Sequence, residues 1–372
     1  MLHVAATTGQ ALAVAALLLV GDVAPALLSP LTGAISDRFD RRKVLVACEL
    51  VQAGLLVAIA LALPPLPLLL ALVGLRALAG QVFQPASRAA TPALVAGRDL
   101  QSANSVLGFG THGAEAIGPL LAAALLPLIG IPGVLLVDAA SFAVSALLLA
   151  RLPALPPSDA TRQAGSTLVR EARQGIAYIW STRAVRVIVL GFCAVVAANG
   201  IDDVALLVLA TDTFRAGESA VALLLGAVGV GLLVGYAVLA GAGNRLSMLA
   251  LLIAGFAVSS VGNLLTGLAW AVAVAFALQA VRGIGIAAMD AASNTLLQRL
   301  VPDAMLGRVF GNLYGGIGVA AAFSYLVGGV LLDATSAPTT LVVAGAAGTL
   351  ATLAVVVALP RALPSRGHEA DS

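Results

Sequence analysis

Apolar residues in this chain come in long blocks, and polar residues gather in the short joints between them. A helix needs about 20 apolar residues to cross the hydrocarbon core. On that measure the pattern predicts spans at 11–35, 43–63, 67–90, 100–128, 131–151, 184–210, 217–241, 246–268, 270–298, 304–333 and 338–360, about eleven in all. Joints such as Pro64-Pro65-Leu66-Pro67 and Gly130-Ile131-Pro132-Gly133 are tight turns. Residues 152–183 form the long polar stretch. Pro153, Pro156 and Pro157 break the preceding helix, and residues 158–167 read as a flexible linker. Leu168, Ala172, Ile176, Ile179 and Trp180 then recur at helical spacing, with Arg170, Glu171 and Arg173 turned away, which predicts an amphipathic helix along the membrane surface.

Composition agrees with a membrane chain: 60% hydrophobic and 10% charged, against about 45–50% and about 25% in soluble domains. The 39 glycines and 4% aromatics leave Ala, Leu and Val as the apolar bulk, which suits close helix packing in lipid. The net charge of +2 gives no reason to expect nucleic-acid binding. Cys48 and Cys193 lie within apolar runs as small buried side chains, and no secretory leader is expected. All Lys and Arg residues except Arg76, Arg215 and Arg282 fall on one side of the predicted spans, which must be cytoplasmic. The C-terminus is then inside, and the N-terminus of this chain outside.

The joint between the first two spans reads Gly33-Ala34-Ile35-Ser36-Asp37-Arg38-Phe39-Asp40-Arg41-Arg42-Lys43-Val44-Leu45. It resembles the signature loop of the major facilitator superfamily, Gly-x-x-x-Asp-Arg-x-Gly-Arg-(Arg/Lys)-x-x-(Leu/Ile). It matches at Gly33, Asp37, Arg38, Arg41, Arg42 and Leu45, and departs at Asp40, where the pattern has Gly. The resemblance implies an all-α membrane protein of two pseudo-symmetric helical bundles. These would be an N-terminal bundle (1–151), a cytoplasmic linker with a surface helix (152–183), a six-helix C-terminal bundle (184–360) and a tail (361–372). It also implies twelve helices with both ends inside, so eleven spans with an outside start are read as the loss of helix 1. By the same resemblance, Asp37 pairs with Arg41 and with the N-terminus of a helix in the other half, closing the cytoplasmic side.

Ala114-Glu115-Ala116-Ile117-Gly118-Pro119 resembles a motif associated with antiporters, retaining its Gly118-Pro119 pair, and Arg76 with Gly80 resembles the fourth-helix motif of drug/proton antiporters. Leu136 to Phe142, the surface helix before Trp180 and Arg308-Val309-Phe310-Gly311 resemble a bacterial exporter group that includes siderophore exporters and macrolide efflux proteins. The implied activity is export of a small molecule by proton antiport from the inner or plasma membrane, with a monomer as the working unit. A proton-coupled importer and a truncated, non-transporting membrane protein are the alternatives. No phosphate loop, metal set or nucleophile–base pair is evident, so no cofactor and no enzyme activity are expected.

Ionisable groups inside a membrane are costly and mark candidate pathways. Asp22, Glu115, Asp202, Asp203 and Asp290 are the candidate acids, and Asn294 shares a helix face with Asp290. Arg76 and Arg282 occupy corresponding places in the two halves, either on the pathway or as structural ion-pair partners. Asp138 and Glu49 are read as structural, and Gly226, Gly229, Gly231 and Gly235 as a helix-packing face. Single-cysteine labelling of intact cells should mark a probe at Gly130 and spare probes at Arg41 and Arg170. Labelling at Arg170 from outside would overturn this orientation.

Overall fold

The computed structural model describes residues 24–157, 167–216, 218–242, 246–359 and 361–362, and every regular element among them is helical. The helices are α1 (Ala24–Arg38), α2 (Arg41–Ala62), α3 (Leu66–Leu94), α4 (Leu100–Leu149), α5 (Leu168–Ser181), α6 (Arg183–Asn199), α7 (Asp202–Val208), α8 (Glu218–Ala242), α9 (Met248–Gly267), α10 (Val272–Leu300), α11 (Leu306–Ala334) and α12 (Ala337–Ala358). Nine helices among the described residues are long and apolar enough to cross a membrane. Asp22 and the rest of residues 1–23, most of the flexible linker and nearly all of the tail lie outside the described residues.

Local chemistry sets the helix ends. Asp40 caps α2, its carboxylate accepting from the Lys43 N–H at 3.3 Å, so the residue that departs from the signature has a structural use. α2 stops at Leu63, in the left-handed region with φ 37°, ahead of Pro64 and Pro65. Ser247 and Ser336 cap α9 and α12 in the same way as Asp40 caps α2.

α4 is continuous through Gly118 and Pro119, and its departure from helical angles falls at Gly130, with φ 64°. That conformation favours glycine. The break separates two arms that correspond to the predicted spans 100–128 and 131–151. In the sixth predicted span, 184–210, the chain breaks after Asn199-Gly200, resumes as α7 and ends in one π turn, Leu209–Thr213.

The chain divides into two compact units. The first comprises Met1–Leu94, Ile117–Ile176 and Pro302–Gly318, and the second Val95–Ala116, Ala177–Val301 and Val319–Ser372. In the first, Val44, Leu45 and Cys48 of α2 pack against Ala86 and Ala90 of α3 and against Leu155. The second has a core of Ala205, Leu206, Leu209, Leu224, Ala275 and Leu341, from four helices and the π turn. Large apolar side chains such as Leu61, Leu326 and Val330 are exposed along the helices, as lipid contact requires.

Within the second unit α8 lies directly on α10. A Cβ at Gly231 would come 2.9 Å from the Gly283 Cα, and one at Gly235 would come 2.8 Å from the Ala287 Cβ. Gly226 and Gly229 face open space, so half of the predicted glycine face packs and half does not. Gly231→Leu should therefore destabilise the protein by about 1–3 kcal/mol through overpacking. Gly226→Leu should leave the thermal midpoint in detergent unchanged, and equal effects would refute this packing.

Candidate functional site

In the first unit the end of α1, the start of α2 and the start of α11 meet at a buried carboxylate. The first backbone N–H groups of a helix have no partner in their own helix and carry partial positive charge. Asp37 meets two of them: Oδ1 accepts from the Gly307 N–H at 2.8 Å and Oδ2 from the Arg308 N–H at 2.9 Å. The Arg41 guanidinium is 3.4 Å from Oδ1, and the Arg308 Nε is 3.7 Å from Oδ2. Arg41 also donates to the backbone oxygens of Ala89 and Asp303, and Arg42 to that of Leu152. Arg38 is exposed.

Asp37 lies two residues beyond the predicted span. Burial pushes its carboxyl up to about 6, against the opposing pull of Arg41, the two backbone donors and Arg308. The close approach of α1 and α11 depends on small residues. A Cβ on Gly33 would sit 2.9 Å from the Gly311 Cα, and one on Gly311 would sit 2.6 Å from the Ser29 backbone oxygen. Also in this unit, Arg76 lies within charge range of Asp138, and Ser145 hydrogen-bonds to Glu49.

The second unit holds two polar networks within its helices. In one, Arg282 of α10 forms a buried ion pair with Asp202 at the start of α7 and donates to Gln279 Oε1 at 3.1 Å. Gln279 donates to Asn263 and Thr266 of α9, and Asn263 donates to Asn199 at the end of α6 at 2.9 Å. In the other, Asp290 of α10 accepts from the Tyr236 hydroxyl at 3.0 Å and from Asn294 Nδ2 at 2.9 Å. His112 of α4 stacks on the Tyr236 ring, with centroids 5.5 Å apart. Nearer the end of α10, Asn104 of α4 donates to Gln298 at 2.6 Å and to Thr295 at 3.1 Å.

The predicted acids thus have different settings. Asp202 and Asp290 sit in the two networks, the adjacent Asp203 is exposed, and the side chains of Glu115 and Pro119 lie outside the described residues. Gly118 faces open space. Arg282 is both on the candidate pathway span and an ion-pair partner. Sequence reading missed Tyr236, Asn199, Asn263, Gln279, Asn104 and Gln298. Tyr236, Asn199, Asn263 and Gln279 are neutral polar residues inside apolar runs, the signal that could have drawn attention to them, whereas Asn104 and Gln298 stand among other polar residues near the ends of their spans.

The Major Facilitator Superfamily matches residues 2–210 and 203–372, and the chain belongs to that family; it is a multi-pass membrane transporter. Two Bacillus subtilis (strain 168) relatives, both named as uncharacterized MFS-type transporters, are similar to it. YfiS is 26% identical over 321 residues, 82% of this chain and 75% of YfiS. YkuC is 28% identical over 182 residues, 46% of this chain and 42% of YkuC, so that match spans less than half of the relative.

Solved structures share the fold. The human organic anion transporter MFSD10 (TETRAN) superposes with a TM-score of 0.77 at 18% identity, covering 92% of this chain and 83% of that one. A bacterial homologue of the iron transporter ferroportin in its outward-facing state gives 0.73 at 19%, covering 96% and 93%. The Escherichia coli fucose:proton symporter FucP gives 0.73 at 12%, covering 95% and 92%.

The Asp202–Arg282 pair makes a stability prediction. Asp202→Asn leaves a buried guanidinium without its counter-charge, a loss of about 3–5 kcal/mol. Adding Arg282→Met should recover part of that loss in thermal unfolding in detergent. Additive losses would show that the two side chains are not energetically coupled.

Proposed function

We propose that this transporter exports a small molecule across the cell membrane in exchange for protons, by alternating access of an N-terminal bundle (1–151) and a C-terminal bundle (184–360). The observation that carries the reading is the setting of Asp290. Two of its partners, Tyr236 and Asn294, are neutral groups that both donate and accept. A hydroxyl can rotate and an amide can turn, so these two contacts serve the ionised acid and the protonated one. A proton carrier needs that tolerance. Protonation from outside and release inside change the charge in the pathway, and the membrane field supplies about 2.3 kcal/mol per charge per 100 mV. That is sufficient to bias two states of similar energy.

Asp37, held at the start of α11, is the cytoplasmic latch in this scheme, and Asp202 with Arg282 is the second candidate coupling group. The cargo class is a drug, siderophore or related metabolite, by resemblance to the exporter group. The structural neighbours are named for iron, organic anions and fucose, and at these identities they support the fold and leave the cargo open.

Everted vesicles with an acidic lumen test the direction. A macrolide, a cationic dye or a catecholate siderophore that is a substrate should accumulate in the lumen and dissipate the pH gradient. Accumulation only under the reversed gradient would establish import instead. Asp290→Asn should abolish gradient-driven accumulation and leave ligand affinity within a few-fold, because the amide mimics a permanently protonated acid. Full gradient-driven transport by Asp290→Asn would remove it as the carrier.

A further inference from the structure

We propose that the linker helix α5 is a working part of the cytoplasmic latch: Glu171 and Gln174 position Arg308, and α5 has to release it before Asp37 can leave the start of α11. This rests on the alternating-access reading above and assigns a mechanical role to a segment that otherwise only joins the two bundles.

The orientation of α5 is the first ground. A tether lying on the membrane surface would turn its acid to water. Instead Val169, Arg173, Ile176 and Trp180 are exposed, while Glu171, Ala172, Gly175 and Ile179 face inward, and Glu171 is only 1% exposed. A carboxylate is buried to that degree only where something inside compensates it.

One compensating group is Arg308, which is bound from two directions. Its Nε lies 3.7 Å from Asp37 Oδ2, its Nη2 lies 3.9 Å from Glu171 Oε2, and its Nη1 donates to Gln174 Oε1 at 2.8 Å. Asp37 and Glu171 thus share the Arg308 guanidinium, and Arg41 lies against Asp37 as well. Other charged groups nearby are differently engaged: Arg38 is exposed at the end of α1, and Arg88 of α3 donates to Tyr314, further along α11. Removing the charge of Glu171 takes one of its two carboxylates away from Arg308 beside the start of α11, which weakens the hold on Arg308.

Backbone contact is the second ground, and it is independent of charge. Asn312 of α11 bridges the two helices, its Nδ2 donating to the backbone oxygens of Arg308 at 2.7 Å and Ala172 at 3.3 Å. Gly175 makes room for this approach. A Cβ there would sit 2.6 Å from Asn312 Nδ2, 2.9 Å from the Arg308 Cβ and 3.0 Å from the Arg308 backbone oxygen. α5 is therefore seated on the same turn of α11 whose N–H groups bind Asp37.

The test uses the full chain carrying Cys48→Ala, Cys193→Ala and Ser36→Cys. Ser36 is fully buried beside Gly307, so its cysteine reports opening of the latch. A membrane-impermeant maleimide is applied to inside-out vesicles. Glu171→Gln should raise the labelling rate about tenfold, as expected when a buried charge contact to one of two states is lost. Gly175→Ala, which wedges α5 away from α11 without changing charge, should raise it in the same direction. Arg170→Gln, on the exposed face, should leave it unchanged.

Unchanged labelling in folded Glu171→Gln and Gly175→Ala would overturn the proposal. So would a lower thermal midpoint without faster labelling, which is what an ordinary packing contact gives. If Glu171→Gln does not fold, Gly175→Ala decides alone. The assay needs neither substrate nor proton gradient, so failure of the export reading and failure of this one are separately visible.

Discussion

The hydrocarbon core offers no water to a stranded polar group, and each one buried there has to find a partner within the protein. That requirement decides which helices of this transporter lie together. Asp202 is satisfied by a guanidinium three helices later. Asp37, buried just beyond its predicted span, follows the same rule with a backbone donor 270 residues further along the chain at Gly307. The amide chain from Asn199 through Asn263 to Gln279 joins α6, α9 and α10 in the same way. Apolar surface brings helices together without choosing among them, because lipid is as apolar as leucine. The polar partners do choose.

Glycine sets how close the chosen helices come. Between α1 and α11, Gly33 and Gly311 bring two backbones into contact, and this lets a carboxylate on one helix reach the N–H groups of the other. Gly231 and Gly283 serve α8 and α10, and Gly255 and Gly285 serve α9 and α10. Packing and polar pairing depend on each other here: a side chain on Gly307 would meet Asp37 Oδ1 at 2.6 Å and push the carboxylate off its donors.

Much of the architecture was legible in the sequence, because a span is a local property. Twenty apolar residues make a span wherever they occur, and the predicted boundaries at 43–63, 246–268 and 338–360 fall within a few residues of α2, α9 and α12. The signature loop was legible because its spacing encodes a local turn. The resemblance also implied two partners of Asp37, Arg41 and a helix N-terminus in the other half, and Asp37 meets Arg41 and the start of α11. The side chains that join them were not legible. Glu171 reads as a charge turned away on a surface helix, Arg308 as a cytoplasmic charge at the start of a span, and Tyr236 as one aromatic in an apolar run. The break of α4 was legible too: the predicted turn at Gly130-Ile131-Pro132-Gly133 holds the left-handed Gly130, whereas Pro119 is carried within the helix.

The sequence by itself determined that the chain is a helical membrane protein, where its spans lie and which loop carries the family signature. These follow from periodicity, length and charge within a few tens of residues. Only the tertiary structure decided that Asp290 shares its carboxylate between a tyrosine and an asparagine, that Arg282 is neutralised by Asp202, and that the linker helix buries its acid against Arg308. Each of those depends on which face of one helix meets which face of another. In lipid that choice is made by polar pairs and small residues scattered along the whole chain, and no local pattern records it.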